Sequence, residues 1–179
     1  MDNLIHSIKE LSKENFPNHK VYDLLENYTL PQNEIQDYIL FDNDKYTRHL
    51  IYKDDDFEIL IMCWRPGHKA PIHGHEGEKC FMRVERGSLL FTNYDLISKD
   101  PLELTKIDSV KGEVGYLDGP ADIHSVENVF DENSITFHIY SRPYSECDIF
   151  DLKTGSTYRK KLEYDTAVSY THLTLPTKA

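Results

Sequence analysis

No run of about 18 apolar residues exists anywhere in the sequence, so no membrane-spanning helix is expected. The opening "MDNLIHSIKELSKENF" lacks the basic stretch followed by an apolar stretch that marks a secretory leader. Cysteine is scarce: Cys63, Cys80 and Cys147 are the full complement. An odd number with no leader argues against a disulfide framework, and a cytoplasmic location is expected. Positive charge is short as well. Twenty Lys and Arg stand against 31 Asp and Glu, for a net charge of −11. With no basic patch to offset it, neither nucleic acid nor an anionic membrane surface is expected as a partner. Internal repeats and low-complexity segments are also missing.

What is present fits one folded unit. The 179 residues, 39% apolar and 28% charged, are enough for a single hydrophobic core. The last stretch, "VSYTHLTLPT" at 168–177, is similar to the conceptual translation of a sequencing adapter. The natural chain is therefore expected to end near Ala167, and 168–179, His172 included, are left out of the fold reading.

The first forty residues read as helical. "DNLIHSIKELSKENF" opens on Asp2, a candidate N-cap, and sets Leu4, Ile5, Ile8 and Leu11 on one face. "VYDLLENY" and "NEIQDYIL" are two shorter helical candidates separated by Pro31. From Thr47 the period changes. "RHLIYKD", "FEILIMCW", "KCFMRVER", "SLLFTNYD", "LELTKIDSV", "GEVGYLDG", "SVENVF" and "SITFHIYS" are short, rich in β-branched and aromatic residues, and punctuated by Gly, Pro, Asp and Asn. The class predicted is all-β: a barrel over about 43–160 with a small helical cap over about 1–42, in one domain spanning 1–167. The acidic run at 54–56 reads as a solvated turn.

One stretch carries chemistry: "GHKAPIHGHEGEKCFMRVERG", 67–87. Residues i and i+2 of a strand share a face, so His73 and His75 point together. Two imidazoles side by side in a core each need a partner for both ring nitrogens, and charging both would bury two cations. A third histidine on the same side turns that awkward pair into a metal site, and His124, in "GPADIHSVEN", supplies one. The full order is G-x5-H-x-H-x4-C-x6-G, then P-x3-H-x3-N.

The first block resembles the first cupin motif with Cys80 in place of its acidic ligand. The second resembles the second cupin motif, with Asn128 in register and the Pro–His spacing one residue short. Cysteine at that place is shared with cysteine dioxygenases of the eukaryotic type. The resemblance extends from about Lys45 to about Gly155 through "YTRHLI", "MCWRPGHKAPIHGHEGEKCF", "HSVENV" and "FHIYSRPYSECDIFDLKTG". It implies a cupin barrel, or double-stranded β-helix. It also implies Fe(II) bound by His73, His75 and His124, with L-cysteine and O2 as small-molecule partners of a monomer. Arg48 becomes the clamp for the substrate carboxylate, with Tyr46 beside it, a role that suits a guanidinium fork. Met62 and Cys147 become pocket residues. Tyr140 and Cys80 become a pair joined by a thioether, and His138, followed by Thr136, holds the Tyr140 hydroxyl. Cys63 is expected in the core and His68 at the margin of the site.

The family's Ser-Pro-Pro after the crosslinked tyrosine is here Ser141-Arg142-Pro143. A cis Ser141–Arg142 bond would cost about 3 kcal/mol, so either the turn differs or strain is tolerated. Arg142 is also a candidate second anion contact. Two other functions share the histidines: a dioxygenase for 3-mercaptopropionate, and a non-oxidative cupin holding another metal or none. Cys80 argues against the second.

Overall fold

A computed structural model describes residues 1–120 and 122–167, and the adapter-like stretch 168–179 lies outside the described residues. Twelve strands form among them. They are β1 (Thr47–Lys53), β2 (Phe57–Trp64), β3 (Lys69–Gly74), β4 (Cys80–Arg86), β5 (Leu89–Lys99), β6 (Leu102–Gly112), β7 (Leu117–Asp118), β8 (Ile123–Glu127), β9 (Ser134–Ser141), β10 (Glu146–Asp151), β11 (Ser156–Lys161) and β12 (Thr166–Ala167). They assemble into two six-stranded sheets, in the orders β12-β1-β2-β9-β4-β7 and β11-β10-β3-β8-β5-β6.

Strand alternation sorts the side chains of the first sheet into two cores. On β2, Phe57, Ile59, Ile61 and Cys63 face outward into a cluster completed by the N-terminal helices. Their neighbours Leu60, Met62 and Trp64 face inward, where they meet Ala70, Leu89, Phe91 and Val126 of the second sheet. The same split holds on β9 and β4: Ile139 and Phe81 lie outside, while Tyr140, Cys80 and Met82 lie inside. Two sheets enclosing one core, with neighbours far apart in sequence, make a double-stranded β-helix. The barrel interior is therefore the place where inward polar side chains collect.

Helix α1 (Asp2–Ser12) buries Leu4, Ile5 and Ile8, and α2 (Asn18–Asn27) buries Val21 and Leu25. Asp2, read as an N-cap, is instead the first helical residue; Met1 precedes it without a side-chain cap, and its ammonium pairs with Glu34. The single helix expected over "NEIQDYIL" is a four-residue α3 (Gln32–Ile35) that tightens into a 3-10 turn, Gln36–Tyr38. So short a segment gains little from helix propagation, and its burial of Ile35 and Tyr38 fixes it instead. Arg83 ties the cap to the barrel by donating to the Leu25 and Tyr28 carbonyls.

Two turns follow from their residues. In the acidic hairpin, Asp54 Oδ1 accepts from the Asp56 and Phe57 amides at 2.9 and 3.0 Å. "GEVGYLDG", expected as one strand, is split: Gly112 ends β6, and Leu117 and Asp118 form β7, because Gly115 at φ +88° closes a turn in which the Tyr116 amide bonds to the Glu113 carbonyl at 2.8 Å. Of the glycines that bound the histidine block, Gly87 is fixed twice over. It has φ +71°, and a Cβ there would lie 2.5 Å from Ser134 Oγ and 2.7 Å from the Asn133 carbonyl. Gly67, at φ +86° with open space around it, is held by its dihedral alone.

Candidate active site

His73 on β3 and His124 on β8 are direct cross-strand partners. His75 sits one residue past the end of β3, so it reaches the same point from outside the strand rather than from within it. The three rings form a triangle with centroid separations of 4.9, 4.8 and 4.7 Å. Each Nδ1 has an oxygen partner: the Pro71 carbonyl at 2.8 Å for His73, the Asp122 carbonyl at 3.2 Å for His75, and Asp118 Oδ2 at 3.2 Å for His124. A carbonyl or carboxylate oxygen only accepts, so each Nδ1 carries the proton and each Nε2 presents a lone pair. The ligand atoms lie within 4.8 Å of one another, and His75 Nε2 is buried with no hydrogen-bond partner. Burial, with the neighbouring His124, pushes the His73 imidazole down to about 3 and holds that of His75 well below its usual range. Neutral imidazoles with converging lone pairs and an orphaned buried nitrogen are what a metal ion satisfies. This is a three-histidine metal-binding site.

Cys80 and Tyr140 are direct partners across β4 and β9, and both are buried in the inner core. The odd offset from His75 to Cys80 is absorbed by the turn between them. There Glu76 and Gly77 adopt φ +58° and +80°, and the Glu78 amide bonds to the His75 carbonyl at 2.8 Å. Burial raises both the Cys80 thiol and the Tyr140 phenol, so both stay protonated at neutral pH. Behind Tyr140 runs a buried chain. Trp64 Nε1–H donates to Thr136 Oγ1 at 2.9 Å, Thr136 Oγ1 lies 2.7 Å from His138 Nε2, and His138 Nδ1 faces the Tyr140 hydroxyl at 3.4 Å. Burial holds His138 neutral.

A cavity opens on this site; Tyr46, Arg48, Met62 and Cys147 line it together with His73 and Tyr140. Arg48 is only 6% exposed, and its Nε has no hydrogen-bond partner. Its guanidinium lies between the rings of Tyr140 and Tyr164, at 6.0 and 5.8 Å from their centroids. Tyr46 stacks on Trp64 with centroids 4.6 Å apart. Cys63 is fully buried in the outer core, where burial pushes its thiol up to about 11. His68 is buried outside the cavity lining, accepting from the Arg65 amide at 3.0 Å.

The turn after Tyr140 differs from the cis alternative. Among the described residues the cis bonds are Asp100–Pro101 and Gly119–Pro120, so Ser141–Arg142 is trans. Arg142 adopts φ +61°, its amide bonding to the Asp56 carbonyl at 2.7 Å, and it does not line the cavity. It is therefore not a second anion contact there.

Sequence reasoning missed Glu58, Asp118, Trp64 and Tyr144, the last a cavity-lining ring that meets Tyr140 edge-on with centroids 5.5 Å apart. Glu58 left a usable signal: it is an acidic residue inside the apolar run "FEILIMCW", on the same alternation as Met62 and Trp64. Asp118 left none, because its role depends on how a loop returns to His124.

The chain matches the family model described as cysteine dioxygenase type I over residues 1–153. Cysteine dioxygenase type 1 of Rattus norvegicus is 33% identical, over 76% of this chain and 70% of the relative. That of Danio rerio is 28% identical, over 94% of this chain and 92% of the relative. Among solved structures, the protein TT1209 from Thermus thermophilus superposes with a TM-score of 0.50 at 13% identity, covering 60% of this chain and 93% of that one, a likeness of fold alone. The span matched by the family model holds the three histidines, the buried arginine and the Cys80–Tyr140 pair, and on that basis this chain belongs to the cysteine dioxygenase type I family.

Proposed function

We propose that the chain is a thiol dioxygenase that oxidises L-cysteine with O2 to cysteine sulfinic acid, with Fe(II) held by His73, His75 and His124. One observation carries the reading: a carboxylate-free three-histidine centre shares a cavity with a buried arginine whose Nε has no partner. Bound there, Fe(II) supplies the redox centre at which thiolate and O2 meet. A site built of neutral ligands keeps its full positive charge, which favours an anionic thiolate. Arg48 binds the substrate carboxylate and so fixes which end of the molecule faces the histidines. Tyr46 and Met62 narrow the cavity around it, and Cys147 lines the wall near β11.

Tyr140 presents its hydroxyl to the reacting atoms. The support for its orientation is the chain behind it. Thr136 is fully buried and accepts from Trp64, so its own proton goes to His138 Nε2. His138 is then protonated at Nδ1 and donates toward Tyr140, whose own proton is left free to point into the cavity. Both oxygen atoms of O2 end on sulfur, so the overall reaction needs no external reductant. The same reading has residues 1–167 acting as one domain, as a monomer in the cytoplasm.

The substrate test compares turnover of L-cysteine and 3-mercaptopropionate, which carries the carboxylate and thiol but lacks the amine. L-Cysteine should be preferred by at least about tenfold in kcat/KM, the worth of one charge-assisted contact. Preference for 3-mercaptopropionate would reassign the substrate.

The thioether belongs to the same proposal. Joining Cys80 Sγ to the Tyr140 ring carbon beside the hydroxyl breaks one S–H and one C–H bond; the two electrons and two protons go to O2. Intact mass should fall by two hydrogens during turnover, and Cys80→Ser should abolish that change while keeping the metal and part of the activity. An unchanged mass after many turnovers would remove the crosslink from the account.

A further inference from the structure

A buried carboxylate on β2 faces the arginine proposed to bind substrate. Glu58 is 0% exposed, and its Oε1 lies 3.9 Å from Arg48 Nη2. That is too long for a hydrogen bond, and both Glu58 Oε1 and Arg48 Nε are buried without partners. The other carboxylate oxygen, Oε2, is held back: the Tyr164 hydroxyl donates to it, and Lys53 Nζ lies 3.7 Å away. Lys53 also donates to the Tyr164 hydroxyl at 3.0 Å, which leaves that hydroxyl's own proton for Glu58. Glu58 is in addition the cross-strand partner of Tyr140, so the group sits against the reacting end of the cavity.

Arg48 and Glu58 thus face each other as a near pair that stops short of contact. An ion pair that closed fully would occupy the fork that a substrate carboxylate needs. An arginine with no anion nearby would be an uncompensated buried cation whenever the cavity is empty. The observed arrangement avoids both. Arg48, Lys53 and Glu58 together carry one net positive charge, which a single carboxylate neutralises.

We propose that Glu58 is a positioning residue, a resident counter-ion that stabilises Arg48 in the empty cavity and is kept from closing on it by Tyr164 and Lys53. The inference rests on Arg48 being the carboxylate site. Its consequence is for selectivity. A carboxylate thiol shares Arg48 with Glu58, so its binding is weakened by repulsion between two anions. A thiol without a carboxylate leaves Arg48 compensated by Glu58, so it is rejected less severely than a lone buried arginine would reject it.

The test measures kcat/KM for L-cysteine and for cysteamine, which lacks the carboxylate, in Glu58→Gln, Glu58→Asp and Tyr164→Phe. In Glu58→Gln the ratio favouring L-cysteine should rise about tenfold, mainly through KM, as expected when a facing charge is removed from a buried site. Glu58→Asp, which keeps the charge, should stay within about twofold of the unsubstituted protein. Tyr164→Phe keeps the ring over Arg48 but frees Oε2. Glu58 can then close on the guanidinium, and the ratio should fall. Metal-free protein gives a reading independent of turnover: propionate, a carboxylate with no thiol, should raise the melting temperature of Glu58→Gln more than that of the unsubstituted protein. Should Glu58→Gln fail to fold, Tyr164→Phe carries the test by its opposite sign. An unchanged or lowered ratio in Glu58→Gln, or a raised one in Tyr164→Phe, overturns the counter-ion. Failure of the underlying reading looks different: Arg48→Ala would then cost both thiols equally.

Discussion

His124→Ala should leave purified protein with less than about a tenth of its bound iron and with no measurable thiol oxidation. The expected effect is large because, among the described residues, the cluster consists of these three imidazoles, with no carboxylate in it to compensate. Replacing only what orients a ligand typically lowers metal affinity about 10–100-fold, and removing the ligand itself should exceed that. Asp118→Asn provides the graded control. It keeps His124 but weakens the acceptor that fixes its tautomer at 3.2 Å, so it should fall within that range. Metal analysis of both variants, loaded under identical anaerobic conditions, separates the two effects. Full iron retention in His124→Ala would remove the three-histidine assignment.

Arg48→Ala should cost L-cysteine about 2–4 kcal/mol of interaction, roughly 30- to 1,000-fold in kcat/KM, because the pair it makes is charge-assisted and desolvated. For cysteamine the loss should be far smaller. The substitution also strips Glu58 of its facing cation, and a buried carboxylate so exposed to imbalance destabilises the fold. The double variant Arg48→Ala/Glu58→Gln removes both charges together and keeps the kinetic comparison clean. Equal losses for the two thiols in that background would make Arg48 structural.

The parts of this molecule that were legible in the sequence are those that depend on local period. β-Branched and aromatic residues in short runs such as "FEILIMCW" and "SITFHIYS" announced strands, and these became β2 and β9, every residue of which is buried. The spacing His-x-His, with a third histidine in a later block, pointed to a metal, because several inward ring nitrogens on one side need a shared partner. Local period failed where the backbone leaves the regular wells. Gly115 interrupts "GEVGYLDG". The odd offset from His75 to Cys80 called for a bend, for which Gly77 in "EGEK" was the candidate, and Glu76 and Gly77 supply it. Those turns are written in single residues, not in a repeat.

The electrostatic partners were the least legible. Asp118 supports His124, and Tyr164 reaches Glu58 from 106 positions away in the chain. Both contacts are products of tertiary closure. Glu58 shows the limit well. An acidic residue in an apolar strand is a visible anomaly, but which cation it faces is decided by the neighbouring strand, where Arg48 pairs with Met62 and points to the same interior.

The central claim is that this chain inserts both atoms of O2 into a cysteine sulfur. The direct measurement loads the protein with Fe(II) without oxygen, adds L-cysteine, then admits isotopically labelled O2 and determines the mass of the product. The account predicts cysteine sulfinic acid with both sulfinate oxygens labelled and no added reductant consumed. Cystine as the main product, or a sulfinate carrying oxygen from water, would contradict it.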